Sequence, residues 1–133
     1  MSNAISDDAA AVELQRIADF FEVDQESHTW RESKSKLMAA IKKGRVILDE
    51  EKSAIITTLA TPIALDNGTT IGELAFHEPN ASDLKVLDRY KDHEAMAKTI
   101  HLCSKMTGQP CGVIERLGSR DLQTAGGLAS LFF

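Results

Sequence analysis

An α+β fold is predicted for this chain: a small antiparallel β-meander or hairpin, followed by a C-terminal bundle of about four short helices and preceded by an N-terminal helical extension. Three observations predict it. Apolar residues recur every three or four positions before Gly44 and again after Pro79, β-branched runs are confined to the stretch from Val46 to Phe76, and an Asn-Gly dipeptide stands between two of those runs. The change of period places a boundary near residue 50. Residues 1–50 are then the helical extension and residues 51–133 the α+β domain.

Taken in order, Leu14, Ile17 and Phe21, with Val12, Ala18 and Phe20 beside them, predict a helix over about 8–21. The polar stretch Glu22 to His28 has no period and reads as a connector. A second helix over about 29–43 carries Trp30, Leu37, Met38 and Ile41 on one side, and Gly44 fits its C-terminal cap. Val46-Ile47-Leu48 and Ala54 to Leu59 are β-branched and bracket Asp49 to Ser53, so they pair as strands. Ile63-Ala64-Leu65 and Ile71 to Phe76 flank Asp66-Asn67-Gly68-Thr69, a tight hairpin signal, and Pro62 puts its strand at an edge or a bulge.

After Pro79 the pattern is helical to the end. Asn80 with Asp83 three residues on predicts a capped start, with Leu84, Leu87 and Tyr90 as the buried stripe. A helix from about Asp92 to Thr107 is expected to bury Met96, Ile100 and Cys103, with Leu102 and Met106 widening the face and Gly108 closing it. Pro110 suits the first position of a short helix. Ser119 is expected to cap the last one, with Asp121 in its first turn.

The composition narrows the function. The 133 residues are 43% apolar and 26% charged, the usage of an ordinary globular domain. No apolar run exceeds the five residues Leu37 to Ile41, so no segment is predicted to cross a membrane. The first ten residues hold Asp7 and Asp8 and no basic residue, unlike a signal or transit peptide, and a cytoplasmic location is expected. A net charge of −5 argues against nucleic acid as partner, and one Trp, one Tyr and five Phe leave little for base stacking. Two cysteines do not make a disulfide framework, so reduced thiols are expected.

Residues able to carry chemistry are present but poorly arranged for it. His93 and His101 are eight residues apart, roughly 12 Å along a helix, too far to share one metal ion with Cys103 and Cys111. Cys103 lies on an apolar stripe, where burial raises a thiol pKa, and Cys111 has no histidine partner in sequence. Asp83, Asp88, Asp92 and Glu94 alternate with Lys85, Arg89, Lys91 and Lys98, as on a solvated helix face. Gly126-Gly127 has no phosphate-loop context and weakens the last helix instead. No catalytic residue, cofactor or metal is assigned. What stands out is the apolar tail from Leu128 to Phe133, which either closes the core or meets a partner.

From Thr58 onward the chain resembles the tail assembly chaperone family of Mu-like tailed phages and prophages. The resemblance rests on an ordered set of residues over about 75 of the 133 positions. It includes Pro62-Ile63, Leu65, Gly68, Thr70-Ile71 and Glu73-Leu74 in the hairpin, then Pro79, Asp83-Leu84 and Leu87-Asp88. It continues through Thr107-Gly108-Gln109-Pro110, Val113-Ile114 and Leu117 to Asp121-Leu122. The chain departs from the pattern at His77-Glu78, where such proteins often carry a basic residue before the proline.

The resemblance implies a noncatalytic assembly factor of the host cytoplasm. Such a factor binds the tape-measure protein, keeps it soluble until the tail tube assembles, and is absent from the mature virion. It also implies self-association, and contact with the tail tube protein through a frameshifted longer form. Leu122, Leu128, Leu131, Phe132 and Phe133 are the residues expected to touch the client. The competing expectation is a small oligomeric adaptor for a folded protein, with Leu14, Ile17 and Phe21 as its interface.

Overall fold

Ser6 and Ser27 both stand in extended backbone, and the hydroxyl of each accepts a hydrogen bond at 3.1 Å, from the N–H of Ala9 and of Trp30 respectively. A side-chain acceptor at this position satisfies a donor that the first helical turn leaves free. Two helices follow from these caps in the computed structural model, which describes residues 4–132: α1, Asp7–Phe20, and α2, His28–Lys42. Gly44, at φ +73°, carries the chain out of α2, as its place in the sequence predicts.

The sheet has three antiparallel strands in the order β1 (Val46–Asp49), β2 (Ala54–Ala64) and β3 (Thr70–His77). Its register aligns Val46, Thr57 and Leu74 in one cross-strand row and Leu48, Ile55 and Phe76 in another. All six are buried against the helices. The intervening row of Ile47, Ile56 and Ala75 faces the other way, and Ile47 is exposed. Thr57 is the one polar member of the inward rows, and its hydroxyl is buried without a hydrogen-bond partner.

Pro62 marks a bulge, as expected. The pairing of β2 with β3 steps from Thr58↔Glu73 to Ile63↔Ile71, so four residues of β2 oppose Gly72 alone. Two amides of this bulge, those of Ala60 and Thr61, donate to the two carboxylate oxygens of Asp121 at 2.7 and 3.0 Å. The other side of the sheet is closed differently. Glu13 and Arg16 on α1 reach Leu48 of the edge strand: the Glu13 carboxylate accepts from Leu48 N–H, and Arg16 donates to Leu48 C=O, both at 2.9 Å. The two side chains are themselves paired at 3.0 Å.

Four helices follow the sheet among the described residues: α3 (Ala81–Leu84), α4 (Ala95–Thr107), α5 (Cys111–Ile114) and α6 (Ser119–Ala129). Asn80 and Asp83 form the reciprocal cap the sequence predicts, and Gly108 ends α4 at φ +74°. Three details differ from expectation. After α3 the chain tightens into 3-10 turns at 85–89 and 92–94, whose three-residue period buries Val86 and leaves Leu84, Leu87 and Tyr90 only half-covered. α4 begins only at Ala95, its buried residues are Leu102, Cys103 and Met106, and Met96 is 59% exposed. Gly118, rather than Ser119, stands at the cap of α6, and Pro110 lies one residue ahead of α5.

The helices share one core with the sheet. Ile17 of α1, Leu37 of α2, Ile55 and Phe76 of the sheet, Leu102 of α4 and Leu128 of α6 belong to a single buried cluster.

Candidate partner-binding surface

The last helix is held at three points. Asp121, 4% exposed, locks its first turn onto the β2 bulge. Arg116, just before it, donates to the carbonyl of Ala64 at the end of the same strand. Further along, Gly127 lets α6 lie directly on α2, since a Cβ there would stand 3.3 Å from Leu37 Cδ2. The glycine that weakens the helix in isolation therefore permits its close packing. On the α4 side, Cys103 Sγ donates weakly to Ala125 C=O at 3.7 Å. Burial pushes this thiol up to about 12, which removes it from thiolate chemistry near neutral pH.

These contacts sort the tail residues into two groups. Leu128 is fully buried and Leu131 is 9% exposed, both within the core. Leu122 is half-buried on the open side of α6, and Phe132 is half-buried in a 3-10 turn, Ser130–Phe132, that continues the helix. Phe132 meets Phe21 edge-on at 5.3 Å between ring centroids, and Phe21 meets Phe20 in the same way at 4.9 Å. Phe133 lies outside the described residues.

Leu122 borders a depression of about 230 Å³ between α4 and α6. Met96 and Thr99 line its α4 side, Gly126 its α6 side, and Lys36 of α2 closes one end. Its wall is aliphatic and small-residue in character, with an exposed methionine at the rim, a shape that admits an apolar helix stripe. Periodicity puts Met96 on one stripe with Cys103, but Met96 stands in the first turn of α4, where it is left 59% exposed while Leu102, Cys103 and Met106 further along are buried.

The interface expected for an adaptor is not on the surface. Leu14 and Ile17 are 2% and 0% exposed beneath α1, and Phe21 is packed on Phe132. The large apolar residues exposed on α1 are instead Val12 and Phe20.

The groups able to carry chemistry are scattered. His93 is exposed, whereas His101 Nδ1 lies 2.8 Å from Tyr90 Oη. His101 and Cys111 line one shallow depression with Tyr90 and Glu115, a proximity the linear spacing conceals. Among the described residues, no three His, Cys, Asp or Glu side chains converge as metal ligands, and no helix is long and apolar enough to cross a membrane.

With this geometry in hand, comparison with known proteins gives one match. The model of a family described as phage tail assembly chaperone proteins, E, or 41 or 14, matches residues 57–133. Its span takes in most of the bulged strand, the hairpin, α3 to α6 and all of the residues lining the depression beside Leu122 except Lys36, and leaves out α1, α2 and β1. No curated protein and no solved structure matches the chain.

Proposed function

Since this chain belongs to the phage tail assembly chaperone family and so acts in tail assembly through a protein partner, we propose that its client is the tape-measure protein. The chain holds that long helical protein soluble in the host cytoplasm until the tube subunits replace it, and is itself left out of the virion. The task is noncatalytic: apolar helix stripes that would otherwise aggregate are covered, then released. Contact with the tail tube protein, through a frameshifted longer form, belongs to the same reading.

The observation that supports it is the open side of α6. Leu122, with exposed Met96 across the depression, offers apolar surface without rearrangement, and Phe132 adds to it at the C-terminal end. Leu128 and Leu131 join the contact only once the end of α6 leaves α2, so their part in binding requires an opened form. Phe133 is assigned to the same contact by its place in the sequence.

Co-expression with the large helical protein encoded beside this one tests the proposal. Client that stays soluble and co-purifies with the intact chain, but not with Met96→Ser/Leu122→Ser, supports the client and the surface together. The Phe132→Ser/Phe133→Ser chain measures the share of the C-terminal end. Client that precipitates equally with and without this protein overturns the reading.

A further inference from the structure

The net charge of −5 conceals a division along the N-terminal helical hairpin. Residues 1–28 hold seven carboxylates and one arginine, whereas residues 29–48 hold six cations and one carboxylate. The fold sets the two signs toward opposite ends of α2, whose fifteen residues span roughly 22 Å.

The elbow between α1 and α2 is the acidic end. Asp19, Glu22, Asp24 and Glu26 are all exposed there. The elbow is built rather than slack: Glu22 sits at φ +54°, Val23 N–H donates to Ala18 C=O at 2.9 Å, and Asp24 Oδ1 accepts from Glu26 N–H at 3.0 Å.

At the far end lies a depression of about 130 Å³ between α2 and α6. Lys36, Lys43, Arg45 and Arg120 line it, and the rest of its wall is alanine, glutamine and threonine. Neighbouring Lys42 reaches Asp7 at 3.2 Å, but among the described residues none of the four lining cations stands within ion-pair distance of a carboxylate. The Arg120 guanidinium donates to the Thr61 hydroxyl, at 3.5 Å. Four like charges around one hollow repel one another and are relieved by an acidic occupant.

We propose that this occupant is the acidic elbow of a second copy of the chain. Four exposed carboxylates on one copy face four uncompensated cations on the next, and the Leu48 backbone of edge strand β1, a competing place for copies to join, is already engaged by Glu13 and Arg16. The two patches differ, so the contact is heterologous and adds copies one after another unless the rotation closes. All its charged residues except Arg120 precede the family match at residue 57, which gives the N-terminal hairpin a role of its own. The inference does not depend on which client is bound. Exposed pairs are individually weak, so the contact contributes orientation and register more than affinity.

Sedimentation velocity of the full chain tests this. The expected result is concentration-dependent association whose dissociation constant rises about tenfold or more between about 50 and 300 mM NaCl, as screening shortens the range of the charges. Glu22→Lys/Asp24→Lys/Glu26→Lys and Lys36→Glu/Lys43→Glu/Arg120→Glu should each be monomeric, with unchanged circular dichroism. Mixed in equal amounts, the two reversed chains should associate again, because their ends are complementary once more. A wild-type chain that stays monomeric at low salt, association that survives either reversal, or folded variants that fail to associate on mixing would each overturn it.

Discussion

The carboxylate of Asp121 and the amide nitrogen of Ala60 are 61 residues apart in the chain and 2.7 Å apart in the fold. A bulge in a middle strand costs the ladder its regular partners, and here the missing acceptor comes from the first turn of a helix. The same carboxylate also takes the Thr61 amide, so one side chain holds both the bulge and the start of α6.

Removing it should therefore be costly. Asp121→Ala leaves two part-buried donors without their carboxylate acceptor, and a loss of about 1–3 kcal/mol is expected in urea denaturation. Asp121→Asn retains one carbonyl oxygen and should fall between the two. Equal stability of all three chains would mean that water replaces the carboxylate at no cost.

The adjacent glycines of α6 should respond differently to alanine. At Gly126 a new Cβ meets Thr99 Cγ2 at an ordinary 3.6 Å, so Gly126→Ala should stabilise by up to about 1 kcal/mol through helix propensity. Gly127→Ala presses on Leu37 Cδ2 at 3.3 Å and should lose that gain or reverse it. Thermal melts of the two variants separate the cases.

Thr57 holds a buried hydroxyl with no partner between Val46 and Leu74. Thr57→Val keeps the branched shape and removes the orphaned group, so a gain of about 1 kcal/mol is expected. A loss on urea denaturation would mean that the hydroxyl is hydrogen-bonded in solution.

Cys103 supplies a pH dependence. Burial lifts its thiol from 9.0 to about 12 in the folded chain, while in the unfolded chain it ionises near the ordinary value. Its contribution is thus fully present below about pH 9 and declines as the pH rises toward 12, by at most about 1.4 kcal/mol per unit. The stability gap between the wild type and Cys103→Ala should narrow by up to about 2 kcal/mol from about pH 8 to pH 10.5. A constant gap would place the thiol in contact with solvent.

Local signals carried most of the fold. The Asn80–Asp83 cap, the left-handed positions of Gly44, Gly68 and Gly108, and the bulge at Pro62 all depend on residues within a few positions of one another. What periodicity misjudged was rotation. The 3-10 turns after α3 changed the count per turn, which buried Val86 and left Leu84 and Leu87 half-covered. The surface was less legible than the fold. Leu122 and Leu128 are six residues apart on α6 and so face about a third of a turn away from each other, but which face meets the core is decided by α2 and α4, which cover Leu128 and leave Leu122 at the edge. Asp121 was readable as a first-turn acid, but its partners lie in a strand some sixty residues earlier.

The grip of Glu13 and Arg16 on Leu48 has a meaning for the life of the chain before assembly. An unpaired strand edge is a template on which another chain can grow, and a carboxylate–guanidinium pair presented by a helix imitates the strand that would otherwise land there. The first helix is in that sense a resident decoy. A chain stripped of it would expose the Leu48 amide and carbonyl beside outward-facing Ile47, and would become a seed for the disorderly growth that its own sheet now resists.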